Sequence, residues 1–247
     1  MAGVLKPLGR YLLGGLLTAG LLIGGAGAVT YAFVPHKTVR QLPADKARSV
    51  KYVALGDSTV YGVGAGSPAS HYVSRLHERL RSVYPRARLV NLGVGGATAV
   101  DVLEAQLGRA VALRPDLVTL SIGPNDITKG RDLQQYEQDV QTILQTLTRQ
   151  TTAVVVLNLI PDLTVTPRFR GKEGAATVGH RVVLFNEALS RQARAHAAEV
   201  VDLYTVSQQE VPRRPELIAT DGYHPSDQGY ARWAELMWHG VEARIQR

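Results

Sequence analysis

Residues 51–59 have the sequence Lys51-Tyr-Val-Ala-Leu-Gly-Asp-Ser-Thr59, a short apolar run that ends in a polar turn. The run is rich in β-forming residues and stops at a glycine, which predicts a buried strand. Strands of a parallel sheet that is covered on both faces are continuous apolar runs of this kind, whereas half-exposed strands alternate. We therefore expect the first strand of a parallel sheet here, with Ser58 just beyond its carboxyl end.

Strand and helix patterns alternate through the rest of the chain. Four more apolar runs predict strands, and stretches with apolar residues at helical spacing predict helices between them. This alternation predicts an α/β fold with three layers (α/β/α), in which helices cover both faces of a parallel five-stranded sheet. The further predicted strands are 88–91, 117–122, 153–160 and 199–203, and the predicted helices are 69–83, 98–113, 133–149, 178–198 and 228–245.

Four polar or glycine-rich blocks lie at or after the ends of predicted strands, where parallel sheets bind their ligands. Each block alone is typical of an ordinary turn or helix start. Together, and in this order, they contain every group that an acyl-transfer site needs. The blocks are Gly56-Asp-Ser-Thr59, Asn91-Leu-Gly-Val-Gly-Gly-Ala-Thr98, Gly123-Pro-Asn-Asp126 and Asp221-Gly-Tyr-His-Pro225.

The residue types in these blocks suggest a division of roles. A serine hydroxyl becomes a nucleophile near neutral pH when a base accepts its proton, and a carboxylate must orient that base. Ser58, His224 and Asp221 supply the three groups, since the Asp-x-x-His spacing places the last two in one loop. Donors near Gly96 and Asn125 supply the hydrogen bonds that a tetrahedral oxyanion requires.

This combination resembles the SGNH hydrolase superfamily, also called the GDSL family, over about residues 51–245. The resemblance implies a flavodoxin-like sheet and a serine esterase (carboxylic ester hydrolase) that works through an acyl-enzyme. It implies Ser58 as the nucleophile, with its own backbone amide in the oxyanion hole, and Asp221 and His224 as its partners.

The resemblance also assigns the other oxyanion donors. The glycine of the second block maps to Gly96, with Gly95 next, and the asparagine of the third block maps to Asn125. In the family the third block often reads Gly-Gly-Asn-Asp, whereas this chain has Pro124 at the second position. Proline fixes φ and removes an N–H, so we expect a stiffer loop that presents Asn125 differently but keeps its role.

The ordinary α/β-hydrolase is excluded by local sequence. Its nucleophile lies in a Gly-x-Ser-x-Gly turn, and here Val60 occupies the second position after Ser58. Cysteine is absent, which excludes disulfides and thiol nucleophiles. The histidines show no metal-ligand spacing and the glycines around Gly64 lack the Gly-Lys-Ser/Thr of a phosphate loop, so we expect no metal and no cofactor.

The net charge of +7 favours anionic partners, but the basic residues are scattered and not interleaved with aromatics. We therefore expect no nucleic-acid partner. The long connection at 161–176 carries Arg168, Phe169, Arg170 and Lys172. Because long loops at the site face often bind substrate, we expect it to contact the acyl or anionic part of the substrate.

The N-terminal segment is strongly apolar. Residues Tyr11 to Val34 contain no charged side chain, a run long enough, as a helix, to cross a hydrocarbon core about 30 Å thick. The run exceeds the apolar region of a signal peptide, which favours a membrane anchor over residues 1–34. The alternative is a signal peptide cleaved near Ala26-Gly-Ala28.

Residues 35–50 read as a linker to a catalytic domain at 51–247. We expect that domain to be extracytoplasmic, either membrane-anchored or secreted after cleavage. The patterns indicate no oligomeric state.

Three functions remain open at this point. The first is hydrolysis of lipid, small acyl or acetylated carbohydrate esters. The second is a membrane-tethered O-acetyl transferase or deacetylase acting on cell-envelope polysaccharide, because water and a sugar hydroxyl attack the same acyl-enzyme. The third is a membrane-anchored binding module on an inactive hydrolase fold, against which the complete set of catalytic groups argues.

Overall fold

The computed structural model describes residues 39–246. Its centre is a five-stranded sheet in which all neighbouring strands are parallel, in the order β2-β1-β3-β4-β5. This is the flavodoxin-like order, whose ligand site lies beyond the carboxyl ends of the strands. The prediction of a parallel α/β sheet is confirmed. The strands are β1 (Lys51–Gly56), β2 (Arg88–Asn91), β3 (Leu117–Ser121), β4 (Val154–Asn158) and β5 (Glu199–Val201).

Nine α-helical segments surround the sheet in the described part of the chain. They are α1 (Ser58–Tyr61), α2 (Tyr72–Val83), α3 (Ala99–Asp101), α4 (Leu107–Ala112), α5 (Pro124–Thr128), α6 (Leu133–Gln150), α7 (Ala175–Ala195), α8 (Leu203–Glu210) and α9 (Asp227–Glu242). A π-helical segment, Val102–Gln106, joins α3 to α4, and short 3₁₀ turns occur at Leu163–Val165 and Pro215–Leu217.

The two faces of the sheet bury different helices. In β1, Val53 and Leu55 belong to the core that includes α6 and α7, whereas Tyr52 and Ala54 belong to the core of α2 and α9. Successive side chains of a strand point to opposite faces, so one apolar strand supplies both cores. This explains why β1 is a continuous apolar run. The helices on the two faces of the sheet form the outer two of the three layers.

The predicted fifth strand and the predicted second helix differ from the structure. The strand was expected over 199–203 but ends at Val201, because Asp202 caps α8 by accepting a 2.9 Å hydrogen bond from the Thr205 amide. The helix expected over 98–113 contains the π segment at its centre. α5 was not expected, although Pro124 at its first position favours a helix start.

The predicted N-terminal helix over 1–34 lies outside the described residues. Within 39–246, no helix combines the length and apolar character that crossing a membrane requires. The predicted linker at 35–50 is described from Val39 onward, and this part packs on the catalytic domain. Leu42 is fully buried and pairs with Ile245, and the Lys46 ammonium donates to the Gln246 carbonyl at 2.7 Å.

Candidate active site

Ser58 is held at the sheet edge by the turn that follows β1. Gly56 has a φ of +143°, and a Cβ there would lie 2.0 Å from the Ser121 carbonyl oxygen, so only glycine allows this approach of β1 to β3. The Gln106 side chain binds both backbone groups of Gly56, at 2.9 and 2.8 Å. Asp57 then caps α1 by accepting the Thr59 amide at 2.9 Å. Ser58 is thereby fixed as the first residue of α1.

The loop that follows the Pro215–Leu217 turn brings a histidine and a carboxylate to this serine. His224 Nε2 lies 2.9 Å from Ser58 Oγ, and His224 Nδ1 lies 2.5 Å from Asp221 Oδ2. The other carboxylate oxygen of Asp221 accepts the backbone amides of Tyr223 and His224 at 2.9 and 3.0 Å. Ser58, His224 and Asp221 therefore form one hydrogen-bonded chain, although 166 residues separate the serine from the histidine.

The same contacts determine the charge of Asp221. Partial burial raises the pKa of its carboxyl, but the hydrogen bonds from the His224 ring and from the Tyr223 and His224 amides outweigh that effect. The pKa of Asp221 therefore lies below its ordinary value. The carboxylate is ionised at neutral pH and can hold the imidazole with a proton on Nδ1, which leaves Nε2 free to accept the serine proton.

The residues predicted as oxyanion donors lie on three neighbouring loops. Ser58 is the first residue of α1, so its amide has no acceptor within the helix. Gly96 lies in the loop after β2 with a φ of +78°, and its N–H has no acceptor in the part of the chain that the structure describes. Asn125 lies in the first turn of α5 and donates its side-chain amide to the Ala97 carbonyl at 2.9 Å.

The Asn125 contact places the block at residues 123–126 directly against the glycine-rich block at residues 91–98. An amide nitrogen carries two hydrogens, and the bond to Ala97 uses one of them. Lys129, from the end of α5, donates to the Gly96 carbonyl at 2.8 Å and adds a second link between these loops. The loops that carry Gly96 and Asn125 are therefore fixed to each other, as a preorganised pair of donors must be.

Two buried aspartates support these loops. Asp126 accepts the Ala99 amide at 3.1 Å and pairs with Arg131 at 3.0 Å. Burial raises the pKa of Asp126 to about 6, even though the Ala99 amide and Arg131 lower it. Burial also raises the pKa of Asp57 to about 6, against the hydrogen bonds from Thr59. The Oδ2 atom of Asp57 is buried with no hydrogen-bond partner.

A cavity of about 110 Å³ lies beside the serine and was not foreseen from the sequence. Ser58 and His224 line it, together with residues of α8, α9 and the two 3₁₀ turns, such as Leu163 and Leu217. Most of these residues are apolar. The sequence offers one signal for this cavity, the apolar residues Leu203 and Val206 of α8, but the patterns predicted a strand up to residue 203 and no helix between it and residue 228.

The long connection after β4 covers the catalytic loop. Arg168 donates its backbone amide to the Gly222 carbonyl at 2.9 Å, and its guanidinium lies 4.7 Å from the centre of the Tyr223 ring. Tyr223 in turn meets the His224 ring edge-on, with 5.0 Å between ring centres. The structure thus brings Arg168 close to the histidine, whereas nothing in the sequence linked these two residues directly.

Metal-binding geometry is not found in this part of the chain. Among residues 39–246, no group of three or more histidine or acidic side chains is placed to hold a metal ion. The groups that the structure brings together at this site are a serine hydroxyl, an imidazole, a carboxylate and hydrogen-bond donors.

Comparison with known proteins agrees with this arrangement. The sequence profile of the GDSL-like Lipase/Acylhydrolase family matches residues 54–232, which contain all four blocks. The chain belongs to the GDSL-like lipase/acylhydrolase family. Its fold and its class, a hydrolase of carboxylic esters, follow from that membership.

Relatives of this GDSL hydrolase are distant in sequence. The spore germination lipase LipC of Bacillus licheniformis is 22% identical over 220 residues, which cover 80% of this chain and 99% of that protein. A crystal structure of TesA superposes with a TM-score of 0.64 at 22% identity, covering 78% of this chain and 98% of that one. Axe2, an acetylxylan esterase from Geobacillus stearothermophilus, gives 0.62 at 22% identity, with coverages of 80% and 96%.

Proposed function

We propose that this protein hydrolyses carboxylic esters through an acyl-enzyme formed on Ser58. The proposal rests chiefly on one observation, the continuous chain from Ser58 Oγ through both ring nitrogens of His224 to Asp221. A serine without such a base is a poor nucleophile at neutral pH. The family to which the chain belongs comprises lipases and acylhydrolases, which supports the same reaction class.

The first half-reaction makes the acyl-enzyme. Ser58 Oγ attacks the ester carbonyl carbon while its proton moves to His224 Nε2, and Asp221 stabilises the imidazolium. The carbonyl electron pair moves onto oxygen, where the amides of Ser58 and Gly96 and the second hydrogen of the Asn125 amide stabilise it. When the carbonyl re-forms, the alcohol leaves with the proton that His224 returns to its oxygen.

The second half-reaction releases the acid. Water gives its proton to His224 Nε2 and attacks the acyl carbonyl, which passes through the same oxyanion site. Collapse of this intermediate breaks the bond to Ser58 Oγ, and the proton on His224 returns to the serine. A sugar hydroxyl in place of water would give transfer, so the alternative of a polysaccharide O-acetyl transferase or deacetylase uses the same residues. The acetylxylan esterase among the structural neighbours favours keeping a carbohydrate ester in the substrate panel.

We propose an extracytoplasmic location as well, with the domain either anchored in the membrane or secreted after cleavage. The support is the uncharged apolar run of Tyr11 to Val34. Immunodetection in membrane and culture-medium fractions, before and after protease treatment of intact cells, tests this. A protein found only in the cytosolic fraction would disprove it.

The catalytic proposal is tested with a serine-directed fluorophosphonate and peptide mass mapping of the labelled full-length protein. We expect the label on the Ser58 peptide, no label in Ser58→Ala, and a loss of at least 100-fold in labelling rate in His224→Ala. Ser82→Ala, which changes an exposed serine at the end of α2, is the control and should label normally. Absence of label on the folded wild-type protein would contradict the proposal.

A further inference from the structure

The basic residues of this chain are scattered along the sequence, but the fold gathers many of them at one end of the sheet. This is the end from which the strands start, opposite the edge where Ser58 lies. The connections that lead into the strands, each counted with the first strand residue, are 39–51, 84–88, 113–117, 151–154 and 196–199. They contain seven basic and three acidic residues. This end therefore carries more than half of the net charge of +7.

A surface depression at this end, between α2 and β2, is lined by three arginines. Arg81 lies in the last turn of α2, Arg86 in the turn that follows, and Arg88 at the start of β2. All three are exposed. Ser49 and His77 also line the depression, whereas no acidic residue of the described chain does. We call the three arginine side chains the basic patch.

The guanidinium groups of the basic patch make no hydrogen bond or ion pair with any other residue in 39–246. Arg48, at the same end of the sheet, instead pairs with Asp116 at 2.9 Å. A cation in the last turn of a helix complements the helix dipole, but this accounts for Arg81 alone, since Arg86 and Arg88 lie outside helices. Like charges that share one depression repel each other, so the basic patch favours a bound anion.

The backbone that carries Arg86 and Arg88 is held in place. Arg88 donates its amide to the Val50 carbonyl at 2.8 Å, and the Ser49 hydroxyl donates to the Arg86 carbonyl at 3.0 Å. Ala87, between the two arginines, is buried. Both guanidinium groups therefore extend from a fixed turn, which lowers the entropy lost when they bind a ligand.

Phosphate is the chemical group that fits the basic patch. The planar guanidinium group binds phosphate oxygens through two parallel hydrogen bonds, and arginine is the usual residue for this contact. No aromatic side chain of the described chain lines the depression. It therefore lacks the stacking surface on which single-stranded nucleic acids bind.

The position of the N-terminal apolar run favours a membrane as the source of these phosphates. Arg40 donates to the Ala153 carbonyl at 3.0 Å, so the chain enters the domain at the end that carries the basic patch. Only residues 35–38 separate Val39 from the apolar run that ends at Val34, a span of roughly 18 Å when extended. The choice of a membrane rests on the anchoring proposed above, which brings this end of the domain close to a bilayer.

We propose that the basic patch binds the phosphate groups of anionic phospholipids and so holds the domain with Ser58 facing away from the bilayer. The six residues of β1 extend from this end toward Ser58, a distance of roughly 20 Å at the usual rise of a strand. A domain oriented in this way meets its esters in the aqueous phase. Each arginine near an anionic surface should strengthen the attachment about fivefold.

Energy transfer from a labelled cysteine to a fluorescent lipid headgroup tests this orientation. The chain contains no cysteine, so Ser82→Cys, beside the basic patch, and Thr128→Cys, near the catalytic edge, each create a single labelling site on an exposed residue. The full-length protein is incorporated into lipid discs of phosphatidylcholine, or of phosphatidylcholine mixed equally with phosphatidylglycerol. We expect the ratio of transfer, Ser82 label over Thr128 label, to be at least twofold higher in the mixed discs. Raising the salt to about 0.5 M should abolish this difference.

Arg86→Gln/Arg88→Gln should lower the ratio in mixed discs to its value in phosphatidylcholine discs. Lys172→Gln/Arg213→Gln, which removes the same charge from exposed residues on the side of the catalytic loop, is the control and should keep the wild-type ratio. A ratio that is equal in both kinds of disc would overturn the proposal. So would a ratio that Arg86→Gln/Arg88→Gln leaves unchanged, with a thermal melt showing that the variant is folded.

Two further measurements separate the basic patch from the proposed function. Protein that leaves phosphatidylcholine discs during size-exclusion chromatography but stays with mixed discs would overturn the anchor and support the basic patch, and protein that leaves both would overturn both. Hydrolysis of p-nitrophenyl acetate by Arg86→Gln/Arg88→Gln should equal that of the wild type, because the reaction does not involve this end of the sheet. A short DNA duplex that binds the basic patch at least tenfold more tightly than mixed discs do would overturn the membrane assignment.

Discussion

The side-chain amide of Asn125 donates a 2.9 Å hydrogen bond to the carbonyl oxygen of Ala97. This bond holds the start of α5 against the loop that carries Gly96. Pro124 is the first residue of α5, where no intrahelical hydrogen bond needs its missing N–H. The proline is therefore compatible with the placement of Asn125 beside the second block.

Replacing Asn125 with alanine should lower kcat by a factor of about 10² to 10³, the usual cost of losing one oxyanion donor. KM should change little, because the lost hydrogen bond strengthens mainly in the transition state. Steady-state kinetics with a p-nitrophenyl ester measure kcat and KM, and a thermal melt shows whether the variant is folded. Thr128→Ala, which changes an exposed residue of the same helix, is the control. A kcat within threefold of the wild type would show that Asn125 is not a donor.

Asp221→Asn should lower kcat by a factor on the order of 10² to 10³, because the asparagine amide can no longer hold the proton of the imidazole on Nδ1. We expect less than for a fully buried carboxylate, since the Asp221 side chain is 42% exposed. The pKa of Asp221 lies below its ordinary value, so the wild-type residue stays ionised from pH 5 to 9 and kcat should not fall there through Asp221. A pH–kcat series checks this, and an Asp221→Asn enzyme with near wild-type kcat would contradict the role.

Much of the site could be predicted because its functional side chains lie near the carboxyl ends of the parallel strands. Ser58 directly follows a buried apolar strand, and the loop with Asp221 and His224 lies near the same edge of the sheet. Parallel strands bring such residues together whatever their separation in sequence. The three layers likewise follow from alternating apolar runs and helical spacing, whereas the flavodoxin-like strand order was implied by the resemblance to the SGNH hydrolase superfamily.

The cavity beside Ser58 could not be predicted because it depends on how α8 and α9 are spaced. The sequence did not predict α8, and the predicted fifth strand ran on to Leu203 because Val201 and Leu203 continue an apolar run that only the Asp202 cap divides. The contact between Arg168 and Tyr223 likewise depends on the path of a long connection. Local sequence patterns carry no information about the spacing of α8 and α9 or about the distance between Arg168 and Tyr223.

Asp57 should make the stability of the domain depend on pH. Its carboxyl has a pKa of about 6 in the folded protein, against an ordinary value of 3.8. Between pH 3.8 and pH 6 the folded state therefore binds more protons than the unfolded state does. Stability from the protonated carboxyl is therefore present below pH 3.8 and is lost as the pH rises through 6. The loss is about 3 kcal/mol, at about 1.4 kcal/mol for each pKa unit.

Asp57→Asn isolates this effect, because an asparagine oxygen can still accept both hydrogen bonds from Thr59. We expect the free energy of unfolding of the wild type, relative to Asp57→Asn, to fall between pH 4 and pH 7. Urea denaturation at several pH values measures the difference. If the two proteins keep a constant difference over this range, Asp57 does not titrate as its burial requires.

Arg168 packs on the loop that carries His224, and we expect it to contact the substrate. Its guanidinium packs on Tyr223, which meets His224 edge-on, and its exposed position leaves the charge available to an anionic group of the substrate. Replacing Arg168 and Arg170 together with alanine should raise KM about two- to fivefold for esters that carry a carboxylate, the size of an exposed cation interaction.

Arg168→Lys separates the two contributions, since lysine keeps the charge but loses the planar group that stacks on Tyr223. If charge dominates, Arg168→Lys restores the KM for anionic esters. If stacking on Tyr223 positions His224, kcat of the double alanine variant falls for neutral and anionic esters alike. Arg168→Lys then fails to restore kcat for either class of ester. The measurement is kcat and KM over matched neutral and carboxylate-bearing esters. Because both mechanisms change at least one constant in the double alanine variant, unchanged kinetics over the whole panel would rule out any role of this loop in selecting substrate.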